Sequence, residues 1–347
     1  MVSFPAINGE VVQEHLHECR YEFSEDLHDD PLERCRRRFQ SEHHHYGNKN
    51  SPFDNERRFF VVIKVHPNLI VSAETVQEAV YHMSGDRIQD RRLIEAGGKQ
   101  LFTKEIEEAL LTGEIDVAVH SLKDVPAFDI PGLTLCAFPV REDPRDAFLS
   151  QRYATVADLP PGARLGTASL RRQAQALAQR PDLEVVMIRG NVDTRINKLK
   201  AGECDALLLA AAGLNRLGLD HEIRSFIDPD RFASAPGQGA LAIQCRTADL
   251  DQDWIKRVHH EETYLRIRAE RGALEALEAS CRTAVGAYAT VQDGALSLFV
   301  EALSSDGRKR WQRRETIDAA TPDTARELGL RLGLEIKAEA GPDLILV

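Results

Sequence analysis

Residues 164–217 read RLGTASLRRQAQALAQRPDLEVVMIRGNVDTRINKLKAGECDALLLAAAGLNRL. Three times in this stretch a short apolar run precedes a segment of helical periodicity. Residues 164–166 lead into 169–179, 184–188 into 192–201, and 205–210 into 211–217. Strands alternating with helices describe βαβ units, so the fold class is α/β, with mostly parallel sheet expected. Upstream, 102–111 places Phe102, Ile106, Ala109 and Leu110 at helical spacing; Gly113 ends it, and 115–119 is a short apolar strand. Residues 239–245 form one more strand. Two Pro- and charge-rich segments, 140–146 and 227–236, read as interdomain linkers.

Beyond residue 251 the order changes. Residues 259–277 read as one helix, and strands at 287–291 and 296–300 flank Asp293-Gly294, a hairpin signal. Thr321-Pro322 starts a last helix, threonine as cap and proline in the first turn. The expected organisation is an unassigned extension at 1–58, a discontinuous first domain at 59–139 with 233–254, a second domain at 140–232, and a small α+β domain at 255–347. Residues 1–83 lack regularity and hold 8 of the 12 histidines. Within them 59–63 reads as a strand and 73–81 as a helical pattern. The triplet His43-His44-His45 points its side chains in different directions, with no second ligand set at zinc-site spacing, so a solvated loop and no metal are expected.

The 347 residues carry 55 acidic and 44 basic side chains, a formal charge of −11, which argues against a nucleic-acid or anionic-lipid surface. The longest apolar run, 206–214, is too short to cross a bilayer, and no secretory signal opens the chain. Six scattered cysteines without a C-x-x-C pair read as reduced thiols of a cytoplasmic protein. Against the acidic total, residues 161–200 hold eight basic and three acidic side chains, a local surplus suited to a small anion.

In open α/β sheets, ligands bind beyond the carboxyl ends of strands. Four loops qualify. His120-Ser121-Leu122-Lys123-Asp124-Val125-Pro126 follows a strand; its Lys-Asp pair suits a pocket wall as well as a surface salt bridge. Gly166-Thr167-Ala168-Ser169-Leu170-Arg171-Arg172 runs into a helix N-terminus, where N–H groups, two hydroxyls and two guanidiniums favour carboxylates. Arg189-Gly190-Asn191-Val192-Asp193-Thr194-Arg195 repeats that design, and Pro236-Gly237-Gln238-Gly239-Ala240 lets backbone approach a ligand closely. The glycine and lysine spacings of a P-loop or dinucleotide fingerprint are absent. Cys281, beside Arg282, is either a reactive or modified thiol or a small packing residue; composition leaves both open.

In order along the chain, Gly97-Gly98-Lys99, Leu101-Phe102-Thr103-Lys104-Glu105, the 117–126 and 141–148 segments, Gly166 to Gln173, Arg189 to Arg195, Gly237-Gln238-Gly239-Ala240 and Ser280-Cys281-Arg282-Thr283 resemble the hydroxymethylbilane synthase (porphobilinogen deaminase) family. The resemblance implies two periplasmic-binding-protein-like lobes with parallel or mixed sheets and a small α+β C-terminal domain carrying a dipyrromethane cofactor, thioether-linked at Cys281. It implies condensation of four porphobilinogen molecules on that primer with loss of ammonia, then hydrolytic release of the product. By the same resemblance Asp124 is catalytic. Ser121, Lys123, Thr167, Ser169, Arg171, Arg172 and Arg189 hold the cofactor, and Lys99, Arg195 and Gln238 hold substrate. A monomer that binds neither nucleic acid nor membrane is expected. Val65-His66-Pro67-Asn68 departs from the family's Thr-Arg-x-Ser loop, and Gln100 stands where glycine usually follows the lysine. The alternatives are therefore an inactive member, or a non-catalytic anion binder on the same scaffold.

Overall fold

The computed structural model describes residues 62–64, 77–78, 104–128, 130–277 and 283–344. All of them lie in one compact unit, Asn50–Val347. They form three sheets, and the two outer crossings of the chain between the first and second bring the candidate loops together.

The first sheet has the order β2 (Gln77–Glu78), β1 (Val62–Lys64), β3 (Val117–Ser121), β10 (Leu241–Arg246), β4 (Leu133–Ala137). Every described pair in it is antiparallel, which corrects the mostly parallel expectation. The reason is connectivity. A short 3-10 turn, Leu122–Asp124, follows β3 instead of a crossover helix, and β10 arrives from a distant part of the chain to fill the slot between β3 and β4. The helical pattern at 73–81 is also corrected: Gln77 and Glu78 pair with Lys64 and Ile63, and cross-strand pairing overrides the local period. Helix α1 (Lys104–Thr112) covers this sheet with Ile106, Ala109 and Leu110 against Ile115, Ala118 and Leu133.

From β4 the chain enters the second sheet at β5 (Asp146–Leu149), a strand buried at all four positions. The order is β7 (Glu184–Val186), β6 (Arg164–Gly166), β8 (Ala206–Ala210), β5, β9 (Ser225–Phe226). β6 pairs in parallel with β7 and β8, as the strand–helix alternation requires, and β5 is antiparallel to both neighbours. Ala147 and Leu149 pack with Ile196, Leu207 and Leu209, while Phe148 faces the opposite core of Val156, Leu165 and Leu208. The helices begin where their caps stand: Ser169 Oγ accepts from the Arg172 N–H at the start of α2 (Leu170–Gln179), and Asn191 accepts from Thr194 at the start of α3 (Val192–Lys200). A short helix, α4 (Ala211–Arg216), follows β8.

The helix expected at 259–277 is present as α6 (Glu261–Ala276), capped by His260 accepting from the Thr263 N–H; a short helix, α5 (Asp253–Val258), precedes it and ends at His259. The third sheet is an antiparallel meander of β11 (Ala284–Gln292), β12 (Ala295–Leu303) and β13 (Arg310–Asp318), covered by α6 and α7 (Pro322–Ala340). Asp293 and Gly294 both take positive φ, 51° and 81°, as the hairpin signal demands. β13 went unread because only Trp311 of its nine residues is fully buried, so no apolar alternation marks it.

The two crossings touch. Gly239 adopts φ +84°, its carbonyl accepts from the Glu142 N–H at 3.2 Å, and a Cβ there would sit 2.4 Å from the Glu142 carbonyl oxygen. Gly239→Ala should therefore destabilise the fold by about 1–3 kcal/mol, read as a lowered urea midpoint. An unchanged midpoint would show that the crossings are free to separate.

Candidate active site

The carboxyl end of β3 turns at Leu122, whose buried side chain and N–H (3.1 Å to the Ala240 carbonyl) seat the turn on the 236–240 loop. This leaves Ser121, Lys123 and Asp124 half-buried at the sheet edge. Behind them His120 is buried, and its Nε2 lies 2.9 Å from Gln244 Oε1, which accepts from the Nε2-protonated tautomer. Burial lowers the His120 pKa to about 4, partly offset by that hydrogen bond and the Asp124 charge.

On the second sheet the same design has a buried ionic centre. Asp146, the first residue of β5, receives Arg171 Nη1 at 2.6 Å and Nη2 at 3.2 Å, Arg172 Nε at 2.9 Å, and Gln238 Nε2 at 2.9 Å. Gln238 Oε1 in turn accepts from Arg172 Nη2 at 3.2 Å. Burial alone would push the Asp146 carboxyl up. The charges of Arg171 and Arg172, with the Arg171 and Gln238 hydrogen bonds, outweigh it and hold the carboxyl well below the usual carboxylate range. Burial lowers Arg172, and Asp146 opposes that, with a smaller raising effect from Asp124 on the first-sheet turn.

The sequence shows Arg171 and Arg172 as two cations at a helix start. The structure gives them a carboxylate of the protein itself, which leaves one positive charge uncompensated within the trio. Arg171 Nε is buried without an acceptor. Thr167 Oγ1 accepts from the Ser169 N–H and Ser169 Oγ from Arg172, so each hydroxyl keeps its O–H donor. Arg195 donates through Nε to the Gly190 carbonyl at 2.7 Å, and Lys198 reaches the Arg189 carbonyl at 3.2 Å, bracing the 189–195 loop. Lys99 and Cys281 lie outside the described residues.

Several residues beyond the predicted site residues shape this region. Arg141, on the first crossing, makes a bidentate pair with Glu270 of α6 (2.6 and 2.9 Å), both side chains almost wholly buried, and donates from Nε to the Gln238 carbonyl. Glu270 also accepts from the Gly237 and Ala289 N–H groups. Arg216 ties the end of α4 to the Gly239 carbonyl at 2.8 Å. Arg141 stands in the charge-rich 140–146 segment and Glu270 among the arginines of α6, and only the fold shows which charge each one meets.

Strand ends of two sheets that meet at a buried group of two arginines and one carboxylate, with an α+β layer tied on by buried ion pairs, have the chemistry of a lobed protein that handles anionic groups. The family model for the porphobilinogen deaminase dipyrromethane cofactor-binding domain matches residues 63–253, and that for the porphobilinogen deaminase C-terminal domain matches 264–338. A porphobilinogen deaminase from Caulobacter vibrioides is 60% identical over 266 residues, covering 76% of this chain and 83% of the relative. One from Phenylobacterium zucineum is 53% identical over 296 residues, covering 84% and 92%. A solved periplasmic substrate-binding protein of an ABC transporter from Coxiella burnetii aligns at 16% identity and TM-score 0.30, over 44% of this chain and 72% of that one. The chain belongs to the porphobilinogen deaminase family.

Two measurements test the site's electrostatics. Asp146→Asn leaves two buried guanidiniums without their counter-charge and should cost about 3–5 kcal/mol in urea unfolding. The depressed His120 pKa means the unfolded chain takes up the proton first. Stability should therefore be full above pH 6.5 and fall by about 3 kcal/mol as pH drops towards 4. His120→Gln should flatten that slope; an unaltered slope would assign it to other groups.

Proposed function

We propose that Asp124 is the central carboxylate of the family's reaction in this chain. That reaction is the stepwise head-to-tail condensation of four porphobilinogen molecules with loss of ammonia, followed by hydrolytic release of hydroxymethylbilane. The chain is a transferase of tetrapyrrole biosynthesis. The observation that carries the site assignment is the seating of the Asp124 turn on the Ala240 carbonyl, two residues from the Gln238 that bonds the Asp146–Arg171–Arg172 group.

Each porphobilinogen brings an acetate and a propionate, so negative charge accumulates as the product grows. The donors around the strand ends fit a carboxylate-bearing group: one uncompensated guanidinium charge, the buried Arg171 Nε, and the Thr167 and Ser169 hydroxyls. Arg171, Arg172, Arg189, Lys123, Ser121, Thr167 and Ser169 would hold the dipyrromethane cofactor, with Cys281 as its covalent attachment. When bound, that group supplies the pyrrole carbon to which the first substrate is joined. Arg195, Lys99 and Gln238 would hold the incoming substrate's carboxylates.

Asp124 acts on the incoming substrate. Loss of ammonia leaves positive charge delocalised onto the pyrrole nitrogen, and a fixed carboxylate accepting that N–H stabilises the charge as it develops. Asp124 suits this role because it stands half-buried at a strand end, on a 3-10 turn held by Leu122 and the Ala240 carbonyl. The buried Asp146–Arg171–Arg172–Gln238 group keeps the opposite wall cationic. No helix among the described residues is long and apolar enough to cross a membrane. We assign the chain to the cytoplasm as a monomer, with domains at 59–139 plus 233–254, 140–232 and 255–347.

Intact-mass measurement of protein made with porphobilinogen available should show one dipyrromethane above the sequence mass, absent in Cys281→Ser. Asp124→Asn should keep that added mass while losing about a hundred- to thousandfold in kcat. Full activity in Asp124→Asn would remove the carboxylate from the reaction. Unmodified wild-type protein would favour an anion binder.

A further inference from the structure

Arg171 and Arg172 meet the same carboxylate differently. Arg172 approaches Asp146 through Nε and Nη2, whereas Arg171 uses Nη1 and Nη2 and leaves Nε with no acceptor. Either fork to a carboxylate engages two N–H groups, but Nη1 also meets Gln175 Oε1 and Ala233 O, so the Nε/Nη2 fork would leave no nitrogen of Arg171 without an acceptor. Something must hold Arg171 in the arrangement that leaves a buried N–H unmet.

We propose that Gln175 and Glu301 are positioning residues that hold Arg171 this way, keeping its Nε turned to a ligand carboxylate. Gln175 lies one helical turn beyond Arg171 on α2, and its Oε1 accepts from Arg171 Nη1 at 2.9 Å. Its Nε2 donates to Glu301 Oε1 at 2.6 Å and to the Ala233 carbonyl at 2.8 Å. One side of the amide meets a donor and the other two acceptors, so its orientation is fixed. Ala233 O also accepts from Arg171 Nη1, at 3.1 Å.

Glu301 is itself held from three directions. It sits on β12 with no exposed surface, accepts from the Ala233 N–H at 2.7 Å, and pairs with Arg310 of β13 through Nε at 2.8 Å and Nη2 at 2.7 Å. Arg310 lies over the Phe232 ring at 4.6 Å and donates to the Arg231 carbonyl. A buried carboxylate with every partner in place resists displacement, because moving it leaves several groups unsatisfied at once. The third sheet thus sets the plane of a guanidinium in the second, through one amide.

The inference rests on the carboxylate-binding role assigned to Arg171, and a double-mutant cycle separates the two. Arg171→Lys, Gln175→Leu and the double variant are compared by the fraction of chains carrying dipyrromethane in intact mass and by kcat/KM. Gln175→Leu alone should lose about ten- to hundredfold in kcat/KM, the range for a hydrogen bond to a charged group, and should load less cofactor. In the Arg171→Lys background the same change should cost less than about twofold. Equal losses in both backgrounds would make Gln175 a merely structural residue and overturn the relay. Wild-type loading and turnover in Arg171→Lys would overturn the role of Arg171, and the relay with it. Should Gln175→Leu fail to fold, the exchanged pair Gln175→Glu with Glu301→Gln preserves one acid and one amide along the relay. Loading restored above that of Gln175→Glu alone supports the proposal, and no restoration overturns it.

Discussion

One buried carboxylate shared by two arginines fixes the relation between the site's walls. Asp146 opens β5 at the point where the chain enters the second sheet, and Gln238, from the returning crossing, bonds the same oxygen that Arg172 uses. Taking three charged groups out of water costs several kcal/mol each unless geometry and hydrogen bonding are nearly complete. Here the carboxylate is complete and the guanidiniums are not, since two cations face one anion and Arg171 keeps an unmet N–H. A structural ion pair of equal charges would end as a sealed, neutral core. The imbalance makes this one a wall that still attracts an anion.

Two further buried carboxylates extend the arrangement. Glu270 on α6 binds Arg141 of the first crossing and the Gly237 N–H of the second, and Glu301 on β12 binds Arg310, Ala233 and Gln175. Both belong to the α+β layer, and both act on the crossings or on α2. Apolar contacts tolerate sliding because they are non-directional. A buried carboxylate whose partners come from different elements does not, since a shift leaves several charged groups unsatisfied together. The layer that carries Cys281 in the sequence is thus docked by directional contacts on the segments that shape the cleft.

What could be read from the sequence was whatever residues settle among near neighbours. The strand–helix alternation of 164–217, the Asp293-Gly294 turn and the Thr321-Pro322 helix start all appear where local chemistry placed them. Strand direction in the first sheet was not legible, because it depends on β10 arriving from 120 residues beyond β3. β4 is obscured by the Pro-rich segment beside it, and β13 by its charged exposed face. The site shows the same division. Arg171 and Arg172 were visible as cations, but Asp146 lies 25 and 26 residues away, and Glu301 is 126 residues from the glutamine it bonds. A sequence displays charges and conceals which of them are already answered.

That distinction changes the meaning of the basic surplus in 161–200. Of its eight cations, Arg164 lies against Asp205, Arg180 against Asp182 and Lys200 against Glu222, pairs that solvent reaches. Such exposed pairs contribute little to stability and cancel most of one another's distant field. The net charge of a window is therefore a poor measure of the potential at a ligand. At the strand ends stands the Arg171–Arg172 pair, half-neutralised by Asp146. Because this pair is buried, solvent and salt screen it far less than they screen the surface. A protein with an acidic total can thus hold a polycarboxylate chain, since the long-range repulsion is screened and the short-range attraction is not.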